Sequence, residues 1–297
     1  MRLRKPRGNL PPFRQKWWNG AWIFLPDMRE IPAVTKELKE ILGNKELITT
    51  IRTTHEGGES NGDRFPYKET ICKILTDGKT DYIDVEIYRG KNIVSEVVSK
   101  AKENGVKVIG SYHNFEKTPS QEELTDVLEE ARELGVDIGK AACMPAGSDE
   151  EQWEDVMRLL SVTEKMCEMH PEFPLITMSM GKAGEMSRLY GGLYGSIVSF
   201  GCAGKASAPG QIELDAMMAV FDKIYAGGDQ ISLIGFMGVG KSTISHKLHE
   251  LTGRPEVDTD KRIVEEQGCP IPRIFEEKGE AYFRRREKEI AERVCGG

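Results

Sequence analysis

The stretch KENGVKVIGSYHNFEKTPSQEELTDVLEEARELGVDIGKAACMP, residues 102–145, decides the fold. Two short apolar runs rich in β-branched residues, VKVIGSYH and DIGKAACM, flank one amphipathic run. Ser120 followed three residues on by Glu123 forms a capping box, which starts a helix. Leu124, Val127, Leu128, Ala131 and Leu134 then recur at helical spacing as one apolar stripe, and Gly135 stops it. The junction KENGVKVIG is used again as RELGVDIGK. A strand, helix, strand unit that repeats in this way points to parallel strands joined by helical crossovers.

Working outward, the same rhythm predicts strands over 46–53, 81–88, 106–113, 137–144, 174–180 and 195–202. Six such units in a row call for a barrel or a doubly wound sheet. The segment 29–48 reads as a helix feeding the first of these strands, and QIELDAMMAVFDKIY (211–225) as a helix closing the series. AGGDQ follows, and the boundary is set at 227–230. The expected organisation is an irregular basic segment over 1–30, an α/β domain over 31–226, that linker, and a second α/β piece over 231–297.

Composition excludes several classes. Hydrophobic residues make up 39% and charged residues 30% of the 297, which is ordinary for a globular chain. No run approaches the roughly 18 apolar residues of a spanning helix, so no membrane partner is expected. A net charge of −7 argues against nucleic acid as the partner. Six cysteines with no C-x-x-C pair fit free thiols in a reducing cytosol, so the expected location is cytoplasmic. Residues 1–20 stand apart, with six Lys/Arg and no acid, but lack the Ser-rich character of a transit peptide.

The chemistry starts from His113 and Lys140, each at the end of a short β-branched apolar run. In a barrel those ends share one mouth, where catalytic groups sit. Lys140 lies between Ile138 and Ala141-Ala142, an apolar setting that favours the free amine an imine requires. An imidazole beside it suits proton abstraction. Asp84 and Glu86 alternate onto one face of their strand, and either a buried polar layer or direct catalysis accounts for them. Met178 and Met180 read as pocket lining or core, and Cys143 and Cys202 as packing.

The blocks IRTTHEGGE, SYHNFEKTP, GKAACMP, ITMSMGKAGEMSRL and KASAPGQI, in this order, resemble type I 3-dehydroquinate dehydratase over about residues 44–226. The resemblance implies a (β/α)8 barrel that dehydrates 3-dehydroquinate to 3-dehydroshikimate in aromatic amino-acid biosynthesis. It implies Lys140 as the Schiff-base lysine, His113 as general acid and base, and Glu56 as the carboxylate that orients it. Arg188, Arg52, Ser207 and Gln211 would bind substrate. The resemblance implies no cofactor for this part and a homodimer as the assembly. The family's E-W-R-x-D strand does not stand before residue 44, where GAWIFLPDM occurs instead, so the first two barrel strands are expected to be degenerate or missing. A shifted reading frame or displaced start would produce such a switch, and other frames of the coding DNA would then contain E-W-R-x-D.

GFMGVGKST at 235–243 meets the G-x-x-x-x-G-K-[ST] pattern between an apolar run, ISLI, and a helical one, TISHKLHEL. Gly235, Gly238, Gly240, Lys241, Ser242 and Thr243 would cradle ATP phosphates, with Ser242 and Asp258 toward Mg²⁺. PEVDTDKRI and FEEKGEAYFRRRE resemble shikimate kinase, which implies Asp260 and Arg284 as shikimate contacts. The kinase-like stretch is short, and ATP binding without phosphoryl transfer is expected of it. Three readings compete: a Schiff-base lyase with an appended kinase-like fragment, a catalytically inactive remnant that binds nucleotide, and an unrelated imine-forming barrel such as an aldolase. The last explains Lys140 but not the SRL and SAPGQ blocks.

Overall fold

The computed structural model describes residues 30–58, 66–202, 204, 206, 208–225, 240–252 and 256–295. It divides into two units, Met1–Phe221 and Asp222–Gly297. Up to β5 the first alternates helix and strand: α1 (Ile31–Leu42), β1 (Ile48–Thr50), α2 (Tyr67–Asp77), β2 (Tyr82–Glu86), α3 (Lys91–Glu103), β3 (Lys107–Asn114), α4 (Gln121–Glu133), β4 (Ile138–Cys143), α5 (Asp149–Met169) and β5 (Leu175–Ser179); α6 (Glu185–Tyr190) and α7 (Leu214–Tyr225), which runs across the division, follow. All strand pairs are parallel and each strand lies beside its predecessor, in the order β1-β2-β3-β4-β5. This is an α/β fold built on one parallel sheet.

The predicted helix after Ser120 is present with its capping box complete: Ser120 accepts from the Glu123 amide and the Glu123 side chain accepts from Ser120. A second box, Ser148 with Glu151, starts α5. Such reciprocal caps satisfy amide groups that the first helical turn leaves unpaired.

Period-two alternation sends each strand's residues to two different environments. On β2, Ile83 and Val85 join the core against the helices, with Ile71, Ile74, Val94, Val97, Leu124 and Leu159. Tyr82, Asp84 and Glu86 point to the other face, whose apolar floor is Ile48, Tyr82, Ile109, Ile138 and Ile176. Every residue of β2, β4 and β5 is buried, as both-sided burial of a parallel sheet requires. Register then stacks the second face in rows. Glu86 pairs with Ser111, Ser111 with Lys140, and Lys140 with Ile176. In the next row outward His113 pairs with Ala142, and Ala142 with Met178.

Two strand expectations need correction. The run 195–202 does not extend the sheet; it touches β5 only through a bridge between Leu175 and Ser196. The Ser196 hydroxyl accepts from the Thr177 amide at 3.0 Å, occupying a donor that a neighbouring strand would have used. Gly195 at φ 102° turns the chain just before it. The run 46–53 yields only Ile48–Thr50, because the Thr53 amide donates to the Glu86 carboxylate at 2.7 Å instead of to a strand.

In the second unit, α8 (Lys241–Thr252), α9 (Thr259–Gln267), α10 (Ile271–Lys278) and α11 (Glu280–Cys295) are described. Ile263, Ile274, Phe283 and Ile290 form its apolar core. The expected strand at 231–234 lies outside the described residues. Among the described residues no helix is long and apolar enough to cross a membrane, and the five described cysteines are free thiols.

Candidate active site

Seven polar side chains converge on the second face of the sheet. Lys140 of β4 donates from Nζ to Asp84 Oδ2 of β2 at 2.8 Å. Asp84 Oδ1 accepts from Arg52 Nη2 at 2.8 Å and from the Ser111 hydroxyl at 2.6 Å. Arg52 Nη1 also donates to Ser111 Oγ at 2.9 Å and to Glu56 Oε2 at 3.0 Å. Glu56 Oε2 meets His113 Nδ1 at 2.8 Å, at the outer end of β3. Glu86 is held by the Thr53 amide and hydroxyl, each at 2.7 Å, while Tyr67 accepts from its amide. One hydrogen-bonded chain therefore links Lys140 to His113 through Asp84, Arg52 and Glu56.

Backbone geometry brings Glu56 into that chain. After Thr53 the sequence THEGG makes a 3₁₀ turn over Thr54–Glu56, and the Gly58 amide donates to the Thr53 carbonyl at 2.8 Å. A Cβ on Gly58 would stand 2.1 Å from the Arg52 carbonyl oxygen, so only glycine permits this close return.

Low dielectric sets the protonation states. Burial pushes the Lys140 amine down, and Asp84 pulls it partly back. Burial, then the cations Arg52 and Lys140, hold His113 well below 6.5. Glu56 is pushed up to about 8, first by burial, with Glu86 and Asp84 adding to it against Arg52. Burial would raise Asp84 as well, but Arg52 and Lys140 outweigh it and hold it below the usual carboxylate range. By formal charge, three carboxylates face Arg52 and Lys140, so one further proton neutralises the cluster. Glu56, pushed up by burial, is the carboxyl that favours that proton.

Arg188, on α6, is 2% exposed. Its guanidinium donates to the Pro209 carbonyl at 3.1 Å and touches Met178 Sδ and the Phe200 carbonyl, while Nε has no partner. No ion pair to Arg188 occurs among the described residues, and burial lowers it to about 10. The ring of Phe200 lies 5.3 Å from Lys140 Nζ, so Phe200 joins the arginine to the lysine. A buried cation with no anion is a site for one. The loop bearing Pro209 is seated close by: a Cβ on Gly210 would meet the Gly181 carbonyl at 2.1 Å. Gln211 of that loop is half-buried, and Ser207 lies outside the described residues.

In the second unit Gly240 adopts φ 77° directly before α8, and Ser242 and Thr243 are exposed on its first turn. Gly235, Gly238 and the side chain of Lys241 lie outside the described residues. Asp258 caps α9, accepting from the Asp260 and Lys261 amides. Asp260 is exposed on that turn, and Arg284 pairs with Glu280 and Glu287 of its own helix. Among the described residues no three His, Cys, Asp or Glu side chains converge on a metal position.

Sequence reasoning missed Ser111 and Phe200. Ser111 was findable, since it stands two residues before His113 and thus on the same face of β3. Phe200 carried no such signal, because its segment is not a strand. Met178 and Met180 are buried at 5% and 3% in the apolar floor, and Cys143, buried in the core, has its thiol pushed up to about 12 by burial.

The sequence pattern of the type I 3-dehydroquinase family matches residues 21–227, and that of shikimate kinase matches residues 237–296. The chain is similar to a 3-dehydroquinate dehydratase of Listeria monocytogenes, 38% identical over 200 residues, covering 67% of this chain and 77% of that one. A 3-dehydroquinate dehydratase of Bacillus licheniformis is 41% identical over 197 residues, covering 66% and 76%. The crystal structure of type I 3-dehydroquinate dehydratase from Clostridium difficile, with covalently modified comenic acid, superposes with a TM-score of 0.62 at 37% identity, covering 68% and 77%.

Proposed function

Since the chain belongs to the type I 3-dehydroquinate dehydratase family of the shikimate pathway and carries a shikimate kinase-like region at its C-terminus, we propose that it dehydrates 3-dehydroquinate through an imine on Lys140. The observation that carries this reading is the single hydrogen-bonded chain from Lys140 Nζ to His113 Nδ1, beside the guanidinium of Arg188, which has no ion-pair partner among the described residues.

In this scheme Arg188 takes the substrate carboxylate, with Gln211 and Ser207 on the adjoining loop. The Lys140 nitrogen adds to the ketone carbon, and the former carbonyl oxygen leaves as water, giving an iminium. His113 Nε2 removes a proton from the carbon beside the iminium; the C–H electron pair forms a C=C bond to the iminium carbon, and the C=N π pair moves onto nitrogen. The resulting enamine expels the β-hydroxyl, to which His113 returns the proton, so a second water leaves. Hydrolysis of the imine consumes one water and frees Lys140 and 3-dehydroshikimate. Glu56 holds the imidazole through Nδ1, which aims Nε2 at the substrate. Arg52 has its donors committed to Asp84, Glu56, Glu86 and Ser111. We assign it to ordering these carboxylates and, through them, the substrate. The sheet of five strands is, on this reading, the greater part of a (β/α)8 barrel. A cytoplasmic homodimer is the setting proposed for it.

The second unit is proposed to hold nucleotide phosphates at the start of α8, through Gly240, Lys241, Ser242 and Thr243. ATP with Mg²⁺ toward Ser242 and Asp258 would supply the phosphoryl group there. The pairing of Arg284 within α11 and the use of Asp258 as a cap speak for binding without transfer.

The test is cyanoborohydride trapping with 3-dehydroquinate, followed by mass spectrometry of the peptide bearing Lys140. A reduced adduct at Lys140 is expected. Turnover with the adduct absent from Lys140 would overturn the mechanism.

A further inference from the structure

Asp84 is buried, its side chain 1% exposed, and its two oxygens do different work. Oδ1 is fixed by Arg52 and by Ser111, while Oδ2 faces Lys140 alone among the described residues. The other carboxylates of the cluster are committed elsewhere: Glu86 to Thr53 and Arg52, Glu56 to Arg52 and His113. An ammonium has three N–H donors, and Asp84 is the one acceptor described for Nζ of Lys140. When an iminium forms, the nitrogen retains a single N–H, whose acceptor is already in place.

We propose that Asp84 is a positioning residue that holds Nζ of Lys140 and then acts as counterion to the iminium formed there, with Arg52 and Ser111 fixing its second oxygen. This rests on the imine reading given above and deepens it. The iminium draws electrons only while protonated, so a fixed negative charge at its N–H prolongs the sink to higher pH. The opposing influences on Lys140 agree: burial pushes the amine down, and Asp84 alone among the close groups both pulls it up and hydrogen-bonds it. Four other charged or titratable groups face this pair: Arg52 and Glu56 from the turn after β1, Glu86 from β2, and His113 from β3. From β5 and beyond come Ile176, Met178 and Phe200, which are apolar. Asp84 is therefore the nearest group whose charge sets the iminium's proton affinity.

Asp84→Asn keeps size and shape but removes the charge. Trapping at Lys140 is measured from pH 6 to 10 in both proteins, with kcat and KM alongside. Adduct on the wild-type Lys140 establishes the imine; its absence there would sink the imine reading itself, independently of Asp84. Given that adduct, the upper pH limb of trapping is expected to move down by about one unit in Asp84→Asn. With it kcat should fall about tenfold or more, and KM should change by less than about threefold. An unchanged limb would overturn the proposal, as would a loss carried in KM alone. Should Asp84→Asn fail to fold, Ser111→Ala decides the matter: it loosens Oδ1 only and should move the same limb the same way by a smaller amount, and no movement overturns the proposal.

Discussion

The carboxylate of Glu56 lies 2.8 Å from Nδ1 of His113, so a proton bound by either group lies on one hydrogen bond between them. Where that proton rests decides what Nε2 can do. With the extra proton on the pair, Nε2 is an N–H and serves as an acid. Without it, Glu56 accepts from Nδ1–H and Nε2 is free as a base. Both forms are needed in sequence, one to take a proton and the other to return it.

The pH dependence follows. Burial raises Glu56 from 4.5 to about 8, so the base form appears as pH rises through that value. In wild type kcat/KM should climb up to about pH 8 and level above it. Glu56→Gln removes this titration, leaving only His113, whose own ionisation lies well below 6.5. The rising limb should move to lower pH while the plateau drops by about 10²-fold. A pH profile of kcat/KM on both proteins checks this; a limb that stays in place would reject the pair as its source.

Arg52 governs stability through the same carboxylates. Asp84 is held below its ordinary value in the folded protein, so it contributes stability above about pH 4 that is lost as pH falls further. Arg52→Met leaves three buried carboxylates facing Lys140 alone. Loss of one partner from a buried ion cluster costs about 3–5 kcal/mol. The sign of the pH effect should then reverse. Carboxyls whose folded values rise above the unfolded ones bind protons on folding, so the variant should be most stable near pH 4–5 and weaken toward neutrality. Urea unfolding at pH 5 and 7.5 measures it, and a variant equally stable at both would contradict the account.

These charges explain what the sequence showed and what it hid. The alternation of Tyr82, Asp84 and Glu86 with Ile83 and Val85 puts the acids on one face by spacing alone, and the capping box at Ser120 places α4 within a residue. Spacing also sets Ser111 and His113 on one face of β3. What period cannot reveal is a backbone amide taken by a side chain. Ser196 and Glu86 each capture a strand amide, so the runs 195–202 and 46–53 look like strands yet pair as a bridge and as three residues. That no described carboxylate pairs with Arg188 was equally illegible, since it depends on which distant elements α6 meets.

Arg188 offers a separation of binding from stability. Among the described residues no carboxylate pairs with its desolvated charge, which is unfavourable for folding and favourable for capturing a carboxylate. Arg188→Met should leave the unfolding temperature of the free protein no lower than wild type. It should remove the rise in that temperature that substrate or a carboxylate analogue produces, and increase KM by about 10²-fold, the worth of a charged hydrogen-bond pair. A thermal shift series with and without 3-dehydroshikimate tests both halves. A free protein that is strongly destabilised would show that the guanidinium has a structural anion after all.

The adjacent glycines of THEGG should respond in the opposite order to their φ angles. Gly57 has φ 77°, a region costly for other residues, whereas Gly58 does not fall in it. A Cβ on Gly57 would meet the ring of Phe115 at 2.2 Å, but Phe115 is 39% exposed and its ring can swing outward. Gly57→Ala should then cost about 1–2 kcal/mol, the left-handed backbone penalty. A Cβ on Gly58 would strike the Arg52 carbonyl oxygen at 2.1 Å, which cannot move without carrying Arg52 away from Asp84 and Glu56. Gly58→Ala should cost about 1–3 kcal/mol from the forced backbone shift, and kcat should fall about tenfold further than in Gly57→Ala. Equal kinetics in the two variants would mean that the turn does not set the place of Glu56.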